Sequence, residues 1–189
     1  SLLSDYRGLD YVQKQEYIPS DKENESVAKA LEYAIADAGA SLFAQKLGRK
    51  EDSELFAKRA QYYKHYWDNK THFFRGKTSD GEWREPFDPF SSQHRADDYC
   101  EGTAWQYIWL VPHNVSGLIG LFGSEDTFIS KLDSLFIQQG LTGTEISPDI
   151  SGLIGQYAHG NEPGHHTLYL YPYAGQQWKT AEKVRHVLD

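Results

Sequence analysis

Between His159 and His166 the chain reads His-Gly-Asn-Glu-Pro-Gly-His-His, which packs three imidazoles, a carboxylate and a carboxamide into eight residues. Gly160, Pro163 and Gly164 exclude a helix interior, and the run lacks the alternation of a half-buried strand. It reads as a shaped loop with converging polar groups, anchored by the aromatic run Tyr169-Leu170-Tyr171-Pro172-Tyr173 that follows. The plainer alternative is a surface loop opening a helix, with His165 or His166 near its cap. His159, Glu162, His165 and His166 are zinc-type donors, but they lack the His-Glu-x-x-His spacing and do not share a helix face. Asn161 and Glu162, with backbone carbonyls, better suit a hard cation such as Ca²⁺.

A second group lies at Asp97-Asp98-Tyr99-Cys100-Glu101-Gly102-Thr103-Ala104-Trp105, three carboxylates and two aromatics where a helix should start. Glycosidic bond cleavage needs a protonated carboxyl for the leaving oxygen and an ionised one as base or nucleophile. Aromatic neighbours supply sugar stacking and the desolvation that raises a carboxyl pKa. A helix N-terminus would lower the pKa of Glu101, so to act as an acid it must be raised by burial or by another carboxylate. The alternative makes Asp97 and Asp98 helix-start residues and Glu101 an ordinary first-turn glutamate. Trp83, Arg84 and Glu85 either line a sugar cleft or pack their own loop. Trp105 and Trp109, four apart, read as core. Cys100 lacks the cationic surroundings of a reactive thiol. His113, after Pro112, reads as a helix-start residue with its ring satisfied locally.

These groups need a scaffold, and the pattern is mostly helical. Ser20-Asp21-Lys22-Glu23 has capping-box spacing, with an acidic first turn that suits the helix dipole. Val27, Leu31, Ala34, Ile35, Ala38 and Leu42 follow at helical spacing, and Gly48 sits past the end. A second helix from about Glu51 to Trp67 buries Leu55, Phe56, Ala60, Tyr63 and Trp67, completing an antiparallel hairpin. Ser79-Asp80-Gly81 is a turn, and Glu85-Pro86-Phe87-Asp88-Pro89-Phe90 cannot be helix. Helical patterns resume at Gly102–Leu110, His113–Phe122, Ser124–Ile137, His165–Tyr173 and Thr180–Leu188. About three helical hairpins in an incomplete toroid are expected, with loops 73–100 and 140–165 on one rim.

Composition narrows the partners. The 189 residues carry a net charge of −8, and Lys and Arg are scattered, so a nucleic-acid partner is disfavoured. Mean hydropathy is −0.66, yet the chain holds 5 Trp, 13 Tyr and 9 Phe, a composition suited to half-wet surfaces such as sugar clefts. A single cysteine excludes an intrachain disulfide. No apolar stretch approaches a membrane span.

Long blocks in order resemble one family. They are residues 18–27 (Ile18-Pro19-Ser20-Asp21 onward), residues 80–89 (Asp80-Gly81-Glu82-Trp83-Arg84-Glu85-Pro86-Phe87-Asp88-Pro89), residues 99–107 (Tyr99-Cys100-Glu101-Gly102-Thr103-Ala104-Trp105-Gln106-Tyr107), residues 148–163 (Pro148-Asp149 through Glu162-Pro163) and residues 174–180 (Ala174-Gly175-Gln176-Gln177-Trp178-Lys179-Thr180). This pattern resembles the calcium-dependent, inverting α-mannosidases of glycoside hydrolase family 92. The resemblance implies an all-α chain, part of a catalytic (α/α)₆ barrel, lacking the family's N-terminal β-sandwich and the acid-rich segment that carries the general base. It implies Glu101 as general acid and Asn161 and Glu162 as ligands of Ca²⁺. Trp83, Glu162, His165 and His166 are the implied sugar contacts. Calcium in the family bridges the mannose O2 and O3 and favours a distorted ring. The implied parent is an exo-acting, α-1,2-preferring enzyme on mannose-rich glycans, periplasmic, cell-surface or secreted. The isolated chain is expected to be inactive and to self-associate through the open barrel edge. Thr103 departs from the pattern, since Asn is expected there. A non-catalytic carbohydrate-binding or helical interaction domain is the competing reading.

Overall fold

The computed structural model describes residues 8–189. Helices dominate, but three two-stranded sheets depart from the all-α expectation. After a short helix α1 (Leu9–Gln15), the long helix α2 (Ser26–Lys46) packs against α3 (Lys50–Arg59). Arg59 Nε to Asp37 Oδ2 at 2.9 Å and Ser41 Oγ to the Ser53 carbonyl at 2.8 Å show the two running antiparallel. The hairpin is as expected, but its start is not. Helix α2 begins at Ser26 rather than Ser20, with Glu25 at its N-cap in a left-handed conformation (φ 60°) and no side-chain cap. Its amides find a distant partner instead. Val27 and Ala28 N–H donate to the Asp98 carbonyl at 3.0 and 3.1 Å, and Ser26 Oγ donates to Asp98 Oδ1 at 3.0 Å. A tertiary contact has taken over the work of the local capping box, and the expected acidic first turn is absent.

The apolar stripe of the hairpin is also shorter than the periodicity implies. Val27, Leu31 and Ala34 are buried, whereas Leu42 and Leu55 are 65% and 51% exposed and Phe43 and Leu47 lie open beside them. Beyond Arg59 the chain tightens into a 3₁₀ turn at Tyr62–Tyr66, so the second helix does not reach Trp67. Both Tyr63 and Tyr66 are fully buried there, and the Tyr66 hydroxyl accepts the Ile18 N–H at 2.6 Å. Strand β1 (Trp67–Asp68) then pairs antiparallel with β2 (Phe73–Phe74).

The remaining helical stretches are broken up. Predicted as one helix, Gly102–Leu110 holds only the short α4 (Ala104–Tyr107), and His113–Phe122 becomes a 3₁₀ turn (Pro112–Asn114) leading into α5 (Val115–Leu121). Helix α6 (Glu125–Leu135) is as read, capped by Ser124, whose Oγ accepts the Thr127 N–H at 3.1 Å. The expected helix over His165–Tyr173 is two 3₁₀ segments, Glu162–Tyr169 and Tyr171–Ala174, before helix α7 (Gln177–Leu188). Pro163 and Pro172 each fall in the first turn of these segments, where the missing N–H costs nothing.

Two hairpins, α2/α3 and α5/α6, surround an aromatic core. Trp109 is fully buried against Phe122 and Phe128, and Trp105 is buried against Phe73 and Phe90, as core readings of both tryptophans require.

The two long loops meet. Strand β3 (Ser91–Gln93) pairs in parallel with β4 (Thr142–Glu145), with Ser91 opposite Thr142 and Gln93 opposite Glu145. Thr142 Oγ1 adds a bond to Asp88 at 2.6 Å. Gly143 is required at this pairing: its φ is +112°, and a Cβ would land on the Ser92 carbonyl oxygen. A second hairpin of strands, β5 (Leu153–Ile154) with β6 (Tyr157–Ala158), leads directly into the histidine-rich loop.

Candidate active site

Glu101 stands just before helix α4 and is half-buried. Thr103 is fully buried and its N–H donates to Gln106 Oε1, one half of a capping box, while its own Oγ1 has no partner among the described residues; it still stands at the N-cap where asparagine was expected. With only four residues the helix has little dipole to spend on Glu101. Its carboxyl pKa is instead raised, chiefly by burial and next by the charge of Asp149. The Asn161 carboxamide pulls the other way, and Glu162 and Glu32 add to the rise. None of Glu32, Glu101, Asp149 and Glu162 forms an ion pair among the described residues. A half-buried carboxyl among uncompensated negative charges holds its proton longer, as a general acid must.

Three side-chain bonds fasten the Glu101 segment to the site loop. Asn161 Nδ2 donates to the Glu101 carbonyl at 3.1 Å, Gln106 Nε2 to the Gln156 carbonyl at 2.7 Å, and His166 Nε2 to the Trp109 carbonyl at 2.7 Å. The last bond fixes the tautomer of His166, because a carbonyl can only accept. His165 Nε2 likewise donates to the His159 carbonyl at 2.8 Å, and the two rings stack with centroids 4.8 Å apart. His159 Nδ1 shares a 2.9 Å hydrogen bond with the Tyr157 hydroxyl. Two of the three imidazoles therefore spend Nε2 on backbone, which leaves Nδ1 as the remaining ring nitrogen of His165 and His166. Among the described residues no three His, Cys, Asp or Glu side chains are grouped to hold a metal.

The donors for a hard cation are nonetheless of the right kind. Asn161 is buried, and with Nδ2 committed to Glu101 its Oδ1 remains for another partner; Glu162 is exposed beside it. Calcium takes six to eight oxygens, so these two cover only part of a shell.

The structure brings Glu101, Asn161 and Glu162 together, but it places Trp83 elsewhere. The Trp83 indole lies under Lys77 at 4.7 Å and near the Arg75 guanidinium at 5.6 Å, and no described contact ties it to Glu101. Arg75 is the centre of that second cluster. It is buried, donating to Asp68 at 2.8 Å, to Glu85 at 2.6 Å and to the Arg84 carbonyl at 3.1 Å, with Phe87 4.4 Å below its plane.

Asp97 and Asp98 do not start α4. Asp97 accepts the Gln93 and Tyr99 amides at 2.6 and 2.8 Å, and burial pushes its carboxyl up to about 6. Asp98 pairs with Arg84 at 3.2 Å and caps α2. Cys100 is inert as expected, its thiol pushed up to about 12 by burial and then by Glu25. His113 shares a hydrogen bond with the Ala60 carbonyl at 3.0 Å, and burial lowers its pKa. No signal in the sequence marks Arg75 or Gln106, because their partners are set by tertiary packing.

Comparison with known proteins agrees with this geometry. The model of the glycosyl hydrolase family 92 catalytic domain matches residues 3–189. A solved family 92 α-mannosidase from Bacteroides thetaiotaomicron, in complex with mannoimidazole, superposes with a TM-score of 0.88 at 39% identity over 96% of this chain and 24% of its own. A family 92 inverting mannosidase from the same organism gives a TM-score of 0.82 at 35% identity, over 96% of this chain and 25% of its own. An uncharacterized secreted glycosidase from Arthroderma benhamiae is 24% identical, again over 96% of this chain and 24% of its length. The chain thus spans about a quarter of the length of these relatives. Among the described residues no helix is long and apolar enough to cross a membrane. With the family model matching residues 3–189 and two solved relatives superposing at 39% and 35% identity, this chain belongs to the catalytic domain of glycosyl hydrolase family 92.

Proposed function

We propose that this chain supplies the general acid and part of a calcium site to an exo-acting α-1,2-mannosidase that hydrolyses mannose-rich glycans with inversion. The observation that carries this reading is the raised carboxyl of Glu101, tied through Asn161 to the loop that holds Glu162. In the reaction, Glu101 in its protonated form donates to the glycosidic oxygen as the C1–O bond breaks and is left as the carboxylate. A base carboxylate from the acid-rich segment beyond the last matching block takes a proton from water, which attacks C1 from the opposite face. Asn161 and Glu162 would hold the calcium, which when bound would supply positive charge beside the sugar hydroxyls. Glu162, His165 and His166 are the proposed sugar contacts, whereas Trp83 belongs to the Arg75 cluster.

The chain is read as part of an (α/α)₆ barrel, in a protein that is periplasmic, cell-surface or secreted. On that reading the uncovered Leu42, Phe43, Leu47 and Leu55 are where the isolated chain self-associates.

The test is stereochemical. Full-length parent acting on α-1,2-mannobiose should release β-mannose first, followed by proton NMR before mutarotation. Appearance of α-mannose first, or no release at all, overturns the proposal.

A metal experiment follows. Chelation should abolish turnover by the parent and calcium should restore it. The isolated 189-residue chain, with two protein ligands, should bind Ca²⁺ more weakly than ~10⁻³ M in calorimetry. Saturable micromolar binding by the isolated chain would show a complete site and refute the shared-site assignment.

A further inference from the structure

Helix α4 is too short to hold Glu101 rigidly through its own backbone bonds, so the position of the acid depends on what fastens this segment to its surroundings. Gln106 uses both ends of its carboxamide for this. Its Oε1 accepts the N–H of Thr103, two residues past Glu101, and its Nε2 donates to the Gln156 carbonyl at 2.7 Å. Gln156 is itself fixed. Its backbone N–H donates to the Leu135 carbonyl at 2.7 Å, its Nε2 donates to the Gly140 carbonyl at 2.6 Å, and its side chain is buried. The chain then runs through β6 into Asn161 and Glu162. One side chain therefore links the start of the acid's helix to the strand that delivers the site loop. Gln106 also lines a small cavity, about 20 Å³, together with Tyr157, Asn161 and Thr167.

We infer that Gln106 is a positioning residue for this enzyme, holding the Glu101 carboxyl at a set distance from the Asn161–Glu162 loop by clipping helix α4 to the Gln156 carbonyl. The inference rests on the reading of Glu101 as general acid. The clip does not touch substrate. It acts on proton delivery, by keeping the segment that bears Glu101 against the strand that leads into the site loop.

The experiment uses the full-length parent, with Gln106→Leu and Gln106→Glu. Leucine removes both bonds. Glutamate keeps an acceptor for Thr103 but has no donor for Gln156 when ionised, so it isolates the clip from the cap. Each variant is assayed on an unactivated mannoside and on an aryl mannoside with a good leaving group, across pH. Both should lose ~10–100-fold in kcat on the unactivated substrate, the scale of an ångström-sized misplacement. Loss on the aryl substrate should be several-fold smaller. Gln106→Glu should recover in part as pH falls and its carboxyl regains a proton to donate. Equal losses on both substrates would mean a merely structural role and overturn the inference, as would wild-type behaviour of Gln106→Glu. If Gln106→Leu does not fold, Gln106→Glu alone decides by the same readouts. Glu101→Gln run alongside separates the two failures: if it shows no leaving-group selectivity, the acid assignment is what falls.

Discussion

Glu101→Gln in the full-length parent will lower kcat on unactivated mannosides by about 10²–10⁴-fold, the usual worth of general acid help. A glutamine keeps the shape and the polar contacts of the site but has no proton to give to the glycosidic oxygen. Aryl mannosides with good leaving groups need little protonation and will lose far less. The pH dependence carries the same signature. Burial, Asp149, Glu162 and Glu32 hold the carboxyl above its ordinary range, so the protonated form persists to higher pH. Activity should fall as pH rises through that raised value, and the fall should vanish in the glutamine variant. Initial rates on both substrates across pH provide the check. Equal losses on the two, or an unaltered basic limb in the variant, would show that another group is the acid.

Arg75→Ala will be the most destabilising single change outside the site. Arg75 and Asp68 are 5% and 6% exposed, and Glu85, the Arg84 carbonyl and the Phe87 ring also contact the guanidinium, whose Nε has no hydrogen-bond partner among the described residues. Removing the cation leaves Asp68 buried with only the Lys70 amide and the Thr71 hydroxyl for partners. Breaking such a pair from one side costs about 3–5 kcal/mol, to be read as a fall in denaturant midpoint at unchanged slope. Arg75→Lys should recover only part of it, because an ammonium cannot match the planar fork. Burial pushes the Asp68 carboxyl up, but Arg75 and the two other donors outweigh it and leave it below the ordinary value. The ion pair therefore contributes fully above the unfolded aspartate range, near pH 4, and is lost as pH falls through the lower folded value. Wild type and Arg75→Ala should converge in stability under acid. A midpoint shift below about 1 kcal/mol at neutral pH would refute the assignment.

The run from His159 to His166 declared itself by composition, whereas Glu101 was singled out as an acid only by the family resemblance, since a place before a helix argues for a lowered carboxyl pKa. The helical pattern read from Ser124 onward is α6, with Ser124 at its N-cap. The failures share a physical cause. Ser20-Asp21-Lys22-Glu23 had the right spacing for a cap, yet α2 starts where Asp98, 72 residues away, satisfies Ser26 and the amides that follow it. Leu42 and Leu55 have helical spacing, but spacing does not say whether anything covers them. Stretches read as α-helix around Tyr63 and His166 tightened into 3₁₀ turns, since Tyr66 and His166 each bond a distant backbone group. Local propensity is a weak prior where a tertiary hydrogen bond competes with it. Asp97 and Asp98 illustrate the same point, because they serve the helix that precedes them in the chain rather than the one that follows.

The pairing of β3 with β4 bears on how the molecule assembles. The Arg75 cluster joins residues no more than about ten apart in sequence, whereas Thr142 reaches back 54 residues to Asp88, Asn161 back 60 to Glu101 and His166 back 57 to Trp109. Loop closure over such spans must be met before the contacts reward it. The Arg75 knot is thus placed to order early, and the acid meets its loop only when the polypeptide has been made past His166. On a ribosome the segment bearing Glu101 therefore meets the partners that fasten it only after Asn161 and His166 have been synthesised.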